Sequence, residues 1–326
     1  MIKRILKGLL LTIVVLVLCF SLYVIYRLNK KFDAPYPDIR ASNDSSLIAR
    51  GKYLAYGPAH CSYCHVPMKS FINVEKGEII PLSGGFDFQL PFGVIHAPNI
   101  TPDIETGIGK FTDGEIARAL RYGVKHDGKA LLDFMPFYHI SDRDLTAIIS
   151  FLRSQEPVKN KRPSNELNIL GKIIIATVIK PMGDGVVSPM PEPDSTVVYG
   201  KYLAEYVANC RGCHTERSMM TGAYIGKDYA GNNKIEMIDE TGKIIKGQHL
   251  VVPNISPDPQ TGRIYPWTKD QFIARFRTGK AIPGSPMPWG PFSRMTDLEL
   301  AAIYKYLKTV EPVFMVTPVG IQTGGS

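Results

Sequence analysis

The pattern Cys-x-x-Cys-His occurs twice in this chain, at residues 61–65 and at residues 210–214. On a helical turn, positions i and i+3 share one face, so Cys61 and Cys64 are expected to present their thiols together, with His65 beside them. This is the spacing at which two thiols attach to the vinyl groups of a c-type haem while the adjacent histidine binds the iron. The second copy supplies the same set of side chains, Cys210, Cys213 and His214.

Two other sites are typical of a single Cys-x-x-Cys unit, namely a redox dithiol and half of a zinc site. A zinc site would pair the two units to make four thiolates and would leave both following histidines unexplained. The chain has 5 cysteines and 7 histidines among 326 residues, so two matches to the full pattern are not expected by chance. The sequence therefore predicts two covalently attached haem c groups.

An uncharged run of mostly Leu, Val and Ile occupies residues 9–26. At about 1.5 Å per residue, a helix of this length spans a bilayer core of about 30 Å. A cleaved signal peptide is the alternative, but the run is longer than is typical and no small-residue cleavage site follows it. We therefore expect a single-pass anchor, with residues 1–8 in the cytoplasm and residues 27–44 as a polar tether. Since haem c is attached outside the cytoplasmic membrane, the haem-bearing part is expected in the periplasm, with the N-terminus inside.

The positive charge of the chain is concentrated beside this run. There are 38 basic and 30 acidic side chains, and six of the basic ones, but no acidic one, lie before residue 32. The remainder is nearly balanced, with 32 basic against 30 acidic side chains. The basic balance therefore indicates contact with a lipid bilayer, and no nucleic-acid partner is expected.

A longer repeat surrounds each Cys-x-x-Cys-His pattern. Residues 50–55, Arg-Gly-Lys-Tyr-Leu-Ala, precede the first copy, and residues 199–204, Tyr-Gly-Lys-Tyr-Leu-Ala, precede the second. Pro-Asn-Ile-Thr-Pro-Asp at 98–103 returns as Pro-Asn-Ile-Ser-Pro-Asp at 253–258. Each copy is predicted to form a helix, the haem turn, an irregular excursion, a second helix, a loop and a last helix. The excursions are expected to contain hairpins, such as Glu236–Lys246 around Thr241 and Gly242. The sequence therefore predicts one domain that has been duplicated.

The expected fold is mainly α, with tandem duplicated cytochrome c domains at residues 45–158 and 195–314 after the N-terminal transmembrane helix. Residues 159–194 form the linker, and within it the apolar run Ile169–Ile179 is too short to cross a bilayer. A helix packed on the first domain is one interpretation of this run, and docking to the membrane surface or to a partner is the other. Residues 315–326 are predicted to be a disordered tail.

Each iron keeps one open axial position after its histidine has bound. Met135 and Met287 stand at matching places in the two copies, each followed by Pro and an aromatic residue before the last helix. The soft thioether of methionine favours ferrous iron, and a Pro directly after it favours an extended backbone at the ligand. Met135 and Met287 are therefore the predicted sixth ligands. The candidates that lack a counterpart in the other copy are His126, His139, Met219, Met220 and Met295.

These motifs together resemble class I cytochrome c domains. They are most similar to the cytochrome subunits of membrane-bound alcohol, gluconate and sugar dehydrogenases, over residues 45–158 and 195–314, and residues 106–113 add to the likeness. Those subunits commonly carry three haem motifs and a C-terminal membrane attachment, whereas this chain has two motifs and an N-terminal apolar run. The resemblance also implies that the first and last helices of each domain cross, through Gly51, Leu54, Phe151 and Leu152 in the first and Gly200, Leu203, Tyr306 and Leu307 in the second.

The resemblance implies electron transfer by two c-type haems. Single electrons would pass from a dehydrogenase or a quinol-oxidising donor to a terminal acceptor such as an oxidase or a soluble cytochrome. Two six-coordinate irons leave no open site for substrate chemistry, so an enzyme is not the favoured interpretation. The alternative is a dihaem oxidoreductase that acts directly on thiosulfate or peroxide, which would require a displaceable or missing sixth ligand. A subunit that serves mainly to wire a larger respiratory complex also stays open.

Overall fold

The computed structural model describes residues 1–218 and 221–324. It is mostly helical and begins with the apolar helix, as the sequence predicted, and it adds two small sheets. The helices are α1 (Ile2–Leu28), α2 (Ser45–Tyr56), α3 (Cys61–His65), α4 (Phe71–Glu75), α5 (Asp113–Tyr122), α6 (Asp142–Ser154), α7 (Ile169–Thr177), α8 (Val197–Lys201), α9 (Cys210–His214), α10 (Lys269–Arg277), α11 (Trp289–Phe292) and α12 (Asp297–Leu307). The strands are β1 (Asp87–Leu90), β2 (Gly93–His96), β3 (Glu166–Leu167), β4 (Lys234–Ile238), β5 (Ile244–Val251) and β6 (Ile321–Thr323).

Helix α1 extends beyond the apolar run 9–26 at both ends. Its 27 residues rise about 40 Å, which exceeds the bilayer core of about 30 Å. Val24 is its one buried residue, and its other side chains are almost all exposed. Within the described part of the chain, α1 is the one helix that is long and apolar enough to cross a membrane.

The first and last helices of each half cross at a glycine. In the first half (residues 45–158), a Cβ atom added to Gly51 would lie 1.8 Å from the carbonyl oxygen of Ala147. In the second half (residues 195–314), a Cβ atom on Gly200 would lie 2.0 Å from the carbonyl oxygen of Ala302. Only glycine lets two backbones approach so closely. The crossings implied by the resemblance are confirmed, and each is flanked by its expected aromatic residue, Phe151 or Tyr306.

We expect Gly51→Ala to lower the free energy of unfolding by about 1–3 kcal/mol, because overpacking a dense contact has a cost of that size. Gly114→Ala is the matched control in α5, where the new Cβ would lie 3.5 Å from the Cβ of Tyr36, an ordinary contact. Alanine also favours the helix there, so this control should be at least as stable as the parent protein. Denaturant unfolding followed by circular dichroism compares the two. Equal unfolding midpoints would contradict the close crossing.

The two halves enter their Cys-x-x-Cys-His turns by different backbone routes. Helix α2 ends where Gly57 and Pro58 follow, because proline lacks an amide hydrogen and restricts the residue before it. The matching positions in the second half hold neither Gly nor Pro, and the helix continues from α8 as the π-helical turn Tyr202–Val207. The two halves therefore share this sequence repeat but differ in the geometry of the helix that it forms.

Each half carries a three-stranded antiparallel sheet. The hairpin β1–β2 is joined by β3 from the linker, and the hairpin β4–β5 is joined by β6 from the tail. The hairpin predicted near Thr241 and Gly242 is confirmed as β4–β5. The disordered tail predicted over residues 315–326 is wrong for β6, where Ile321 pairs with Leu250. Residues 325–326 of that prediction lie outside the described residues.

Helix α7 of the linker packs on the first half, as one interpretation of its apolar run predicted. A Cβ atom on Gly171 would lie 2.2 Å from the carbonyl oxygen of Phe92, next to the β1–β2 hairpin. The same helix also contacts α1, where the Nε of Arg27 donates a hydrogen bond to the carbonyl oxygen of Ala176 at 3.0 Å. Helix α7 therefore connects the first half to the end of the apolar helix.

The two halves share one apolar core and exchange hydrogen bonds in both directions. The hydroxyl of Tyr202 donates to Asp144 at 2.8 Å, and the hydroxyl of Tyr53 donates to Glu299. Arg50 adds two bonds to the fully buried Asp144, at 3.0 and 3.1 Å. Although burial opposes its charge, hydrogen bonding to Asp144 raises the pKa of Arg50. Each half thus donates a hydrogen bond from a tyrosine to a buried carboxylate of the other half. Such an exchange of equivalent contacts is typical of an interface with two-fold symmetry.

Candidate haem-binding sites

Each Cys-x-x-Cys-His sequence forms a short helix that begins after a left-handed residue. His60 precedes α3 with a φ of 40°, and Asn209 precedes α9 with a φ of 51°. Residues other than glycine adopt this conformation uncommonly, and Asn and His tolerate it better than most. The second copy has no histidine at the position that matches His60, but Asn209 stands there and has the same backbone geometry. Both Cys-x-x-Cys-His helices therefore begin after a residue in the same left-handed conformation.

All five thiols of the chain lie within the described ranges and are free. Cys61, Cys64 and Cys210 are half-buried, and Cys213 is exposed. Burial raises the pKa of each of the three half-buried thiols to about 12, so they stay protonated near neutral pH. The zinc alternative gains no support, since the described residues bring no three His, Cys, Asp or Glu side chains together as a metal site.

The two histidines are held in one orientation by backbone carbonyl groups. The Nδ1 of His65 lies 2.8 Å from the carbonyl oxygen of Pro98, and the Nδ1 of His214 lies 3.0 Å from that of Pro253. Because a carbonyl only accepts, Nδ1 carries the hydrogen, and Nε2 has the free lone pair. Burial lowers the pKa of His65 and lowers that of His214 to about 4. Both imidazoles are therefore in the neutral form that binds a metal.

The repeated Pro-Asn-Ile-Thr/Ser-Pro-Asp segment explains why these carbonyl groups are fixed. The side chain of Asn99 donates to the carbonyl oxygen of Val158 at 2.7 Å and accepts from the amide of Thr101 at 2.9 Å. Its counterpart Asn254 makes the same two bonds at 2.8 and 2.9 Å, with Val313 and Ser256 as partners. The repeat was visible in the sequence, but its role in holding the proline carbonyl next to the histidine was missed.

A glycine in each half completes the support of the histidine. The amide of Gly84 donates to the carbonyl oxygen of His65 at 2.7 Å, and that of Gly231 donates to His214 at 2.8 Å. Both have positive φ, 87° and 76°, which favours glycine. The available signal was a glycine at a similar spacing after each histidine, 19 residues after His65 (84 − 65) and 17 after His214 (231 − 214), and it was missed.

Met135 and Met287 are half-buried and both border the main apolar core, as Cys61 and Cys210 do. The amide of Phe137 donates to the carbonyl oxygen of Met135 at 2.9 Å, and Trp289 repeats this bond to Met287 at 2.7 Å. A bond from residue i+2 back to residue i defines a γ-turn with proline at its centre. The two methionines therefore occupy matching tight turns.

The other candidate ligands have different surroundings. The Nδ1 of His139 lies 2.9 Å from the carbonyl oxygen of Val186 in the linker. His126 is exposed and stacks on Phe111, with ring centroids 4.1 Å apart. Met295 is 2% exposed and lies in the apolar core. None of these three occupies a matching place in the other half within the described ranges. The remaining candidates, Met219 and Met220, lie outside the described residues.

These groups fit a covalently bound haem in each half. Two free thiols on one helical turn, a neutral histidine with its Nε2 lone pair available, and a methionine in a tight turn form the donor set of a c-type haem. In the described ranges, neither Nε2 makes a hydrogen bond with a protein atom, which leaves each free for iron.

No protein-family model matches the chain. Over 292 residues it is 30% identical to the cytochrome c subunit of a quinone-dependent alcohol dehydrogenase from Gluconobacter oxydans, a match that covers 83% of this chain and 56% of that subunit. It is 26% identical over 281 residues to one of the subunits of a nicotinate dehydrogenase from Pseudomonas putida, across 82% of this chain and 22% of that protein. A dihaem c-type cytochrome from Cereibacter sphaeroides is 29% identical over 170 residues, 48% of this chain and 54% of that protein.

The chain spans about half the length, or less, of these relatives. Cytochrome subunits of a fructose and a gluconate dehydrogenase are similar to it as well. Cytochromes of this type imply covalently bound haem c. The resemblance predicted from the motifs is confirmed. The chain is similar, over most of its length, to the cytochrome c subunits of membrane-bound alcohol, fructose and gluconate dehydrogenases.

Proposed function

We propose that this chain is a membrane-anchored dihaem cytochrome c that passes single electrons between a dehydrogenase or quinol-oxidising donor and a terminal acceptor. One haem would be attached in each half, with tandem cytochrome c domains at residues 45–158 and 195–314. The observation that carries the proposal is the repeated support of the histidine, with its Nδ1 on a proline carbonyl at 2.8 and 3.0 Å. A hydrogen bond from the second ring nitrogen is the usual support of a metal-binding histidine, and its presence in both halves favours the same bound group in each.

The proposed ligand sets follow from this geometry. In the first half, Cys61 and Cys64 would attach the haem, and His65 and Met135 would bind its iron. The second half would use the equivalent side chains Cys210, Cys213, His214 and Met287. When bound, each haem would supply the one-electron chemistry, while the histidine and methionine side chains would hold its iron and the apolar core would exclude water. The dihaem cytochrome relative supports the count of two.

The proposed location is the outer face of the cytoplasmic membrane. Helix α1 would cross the bilayer with its N-terminus inside, so that both halves lie in the periplasm. Its length and exposed apolar side chains support an anchor. A dehydrogenase partner is proposed because the relatives are cytochrome subunits of dehydrogenase complexes. An oxidase or a soluble cytochrome would accept the electrons.

An electron carrier and an enzyme differ in what the isolated protein can do. We expect the detergent-solubilised, reduced protein to reduce a soluble c-type cytochrome. It should oxidise thiosulfate or reduce hydrogen peroxide no faster than a buffer control, because no open iron site is available. Stopped-flow absorbance measures all three reactions. Catalytic turnover of thiosulfate or peroxide by the unaltered protein would overturn the carrier proposal and favour the dihaem oxidoreductase.

A further inference from the structure

Each methionine turn lies against the Cys-x-x-Cys-His region of the other half. Tyr63, which stands between the two cysteines of the first motif, donates a hydrogen bond from its hydroxyl to the carbonyl oxygen of Pro286 at 2.8 Å. Pro286 directly precedes Met287. One side chain thus connects the first haem motif to the backbone at the proposed sixth ligand of the second haem.

Further contacts join the same two segments. The amide of Gly290 donates to the carboxylate of Glu75 in α4 at 3.2 Å, and Lys280 lies 3.7 Å from the same carboxylate. The ring of His60 meets that of Phe292 edge to face, with centroids 5.3 Å apart. The segment that carries Met287 is therefore tied to the first half on both sides of the methionine.

The reverse contact uses different chemistry. Arg217, three residues after His214, forms an ion pair with Asp133, two residues before Met135. The position that matches Tyr63 in the second motif is Gly212, which has no side chain. A tyrosine hydroxyl therefore ties the Met287 turn, whereas an ion pair ties the Met135 turn.

We propose that Tyr63 is a positioning residue for the second haem: its hydrogen bond to Pro286 holds the Met287 turn closed over a site in the other half of the chain. The proposal rests on the assignment of Met287 as a sixth ligand. The bond is made by the neutral hydroxyl of a side chain that is 8% exposed, so water competes little for it. A change at the first motif that broke this hydrogen bond would therefore make Met287 easier to displace from the second iron.

Cyanide can bind the second iron only while Met287 is detached, so its apparent affinity is proportional to the fraction of detached turns. Removing one buried hydrogen bond should raise this fraction about fivefold, equivalent to about 1 kcal/mol. We therefore expect Tyr63→Phe to raise the cyanide affinity of the second haem about fivefold. The first haem should keep the affinity of the parent protein.

The matched control is Tyr56→Phe, which removes a bond from another buried tyrosine of the first half, to the carbonyl oxygen of Ile80 at 2.5 Å. Met287→Leu identifies which cyanide-binding phase belongs to the second haem. The titrations use the full-length, detergent-solubilised protein with both haems bound. If Tyr63→Phe does not retain both haems, Glu75→Ala tests instead whether contacts from the first half hold this turn, since it removes another of those contacts and should act in the same direction.

The outcomes separate the two proposals. If Met287→Leu leaves cyanide binding unchanged, Met287 is not a sixth ligand and the assignment on which the inference rests is wrong. If Met287→Leu raises the affinity strongly while Tyr63→Phe behaves like Tyr56→Phe, the ligand assignment stands and the role of Tyr63 is overturned. A selective rise at the second haem in Tyr63→Phe supports the positioning role.

Discussion

Met287→Leu is expected to lower the midpoint potential of the second haem by about 120 mV, while the first haem keeps its potential. The soft sulfur favours ferrous iron, and a hundredfold loss of that preference corresponds to about 120 mV for a one-electron couple. Met135→Leu should have the same effect on the first haem. Leucine keeps much of the apolar volume next to the core but cannot bind iron. Redox titration followed by absorbance measures both potentials.

Met295→Leu is the control for this pair. Met295 is buried in the core of the second half and is not one of the proposed ligands, so Met295→Leu makes the same chemical change at a different place. Its potentials should equal those of the parent protein. If Met135→Leu left both potentials unchanged, His139 or His126 would become the better candidate for the first iron, which would then have two histidine ligands.

Replacing both cysteines of one motif should remove one haem from the chain. Without thiols to add to its vinyl groups, the haem has no covalent link and is lost when the protein is denatured. We therefore expect the double variant Cys61→Ala/Cys64→Ala to retain half of the covalent haem of the parent protein. The double variant Cys210→Ala/Cys213→Ala should also retain half. Haem absorbance of denatured, extracted protein measures the amount.

The control for these variants is Cys19→Ala, in helix α1. Cys19 lies outside both motifs and is exposed, so its loss should leave the covalent haem unchanged. A motif variant that keeps the haem content of the parent protein would contradict attachment at that motif. Complete loss of haem in both motif variants would indicate that the two halves are matured together.

The features that were predictable from the sequence depend on local patterns or on the repeat. The resemblance to class I cytochrome c domains implied both helix crossings, at Gly51 and at Gly200, and only a residue without a side chain allows that approach. The turn at Thr241 and Gly242 predicted a hairpin, and Gly242 has the positive φ, 80°, that such turns use. Both features could be recognised from a few neighbouring residues, or from the same residues repeated in the other half.

The features that were missed depend on contacts between distant residues. The carbonyl of Pro98 meets His65 across 33 positions, and no property of proline predicts which donor its carbonyl will accept. The bond from Tyr63 to Pro286 joins residues 223 positions apart and requires the two halves to pack face to face. Tail strand β6 was missed for the same reason, because its partner β5 is distant in the sequence.

The number of covalent haems on the unaltered chain decides whether this protein is a dihaem cytochrome. The full-length protein is denatured, extracted to remove unbound haem, and assayed for haem absorbance and protein mass on the same sample. We expect two haems per chain, because each half holds two thiols and a histidine in the Cys-x-x-Cys-His pattern. One haem per chain, or none, would contradict this expectation.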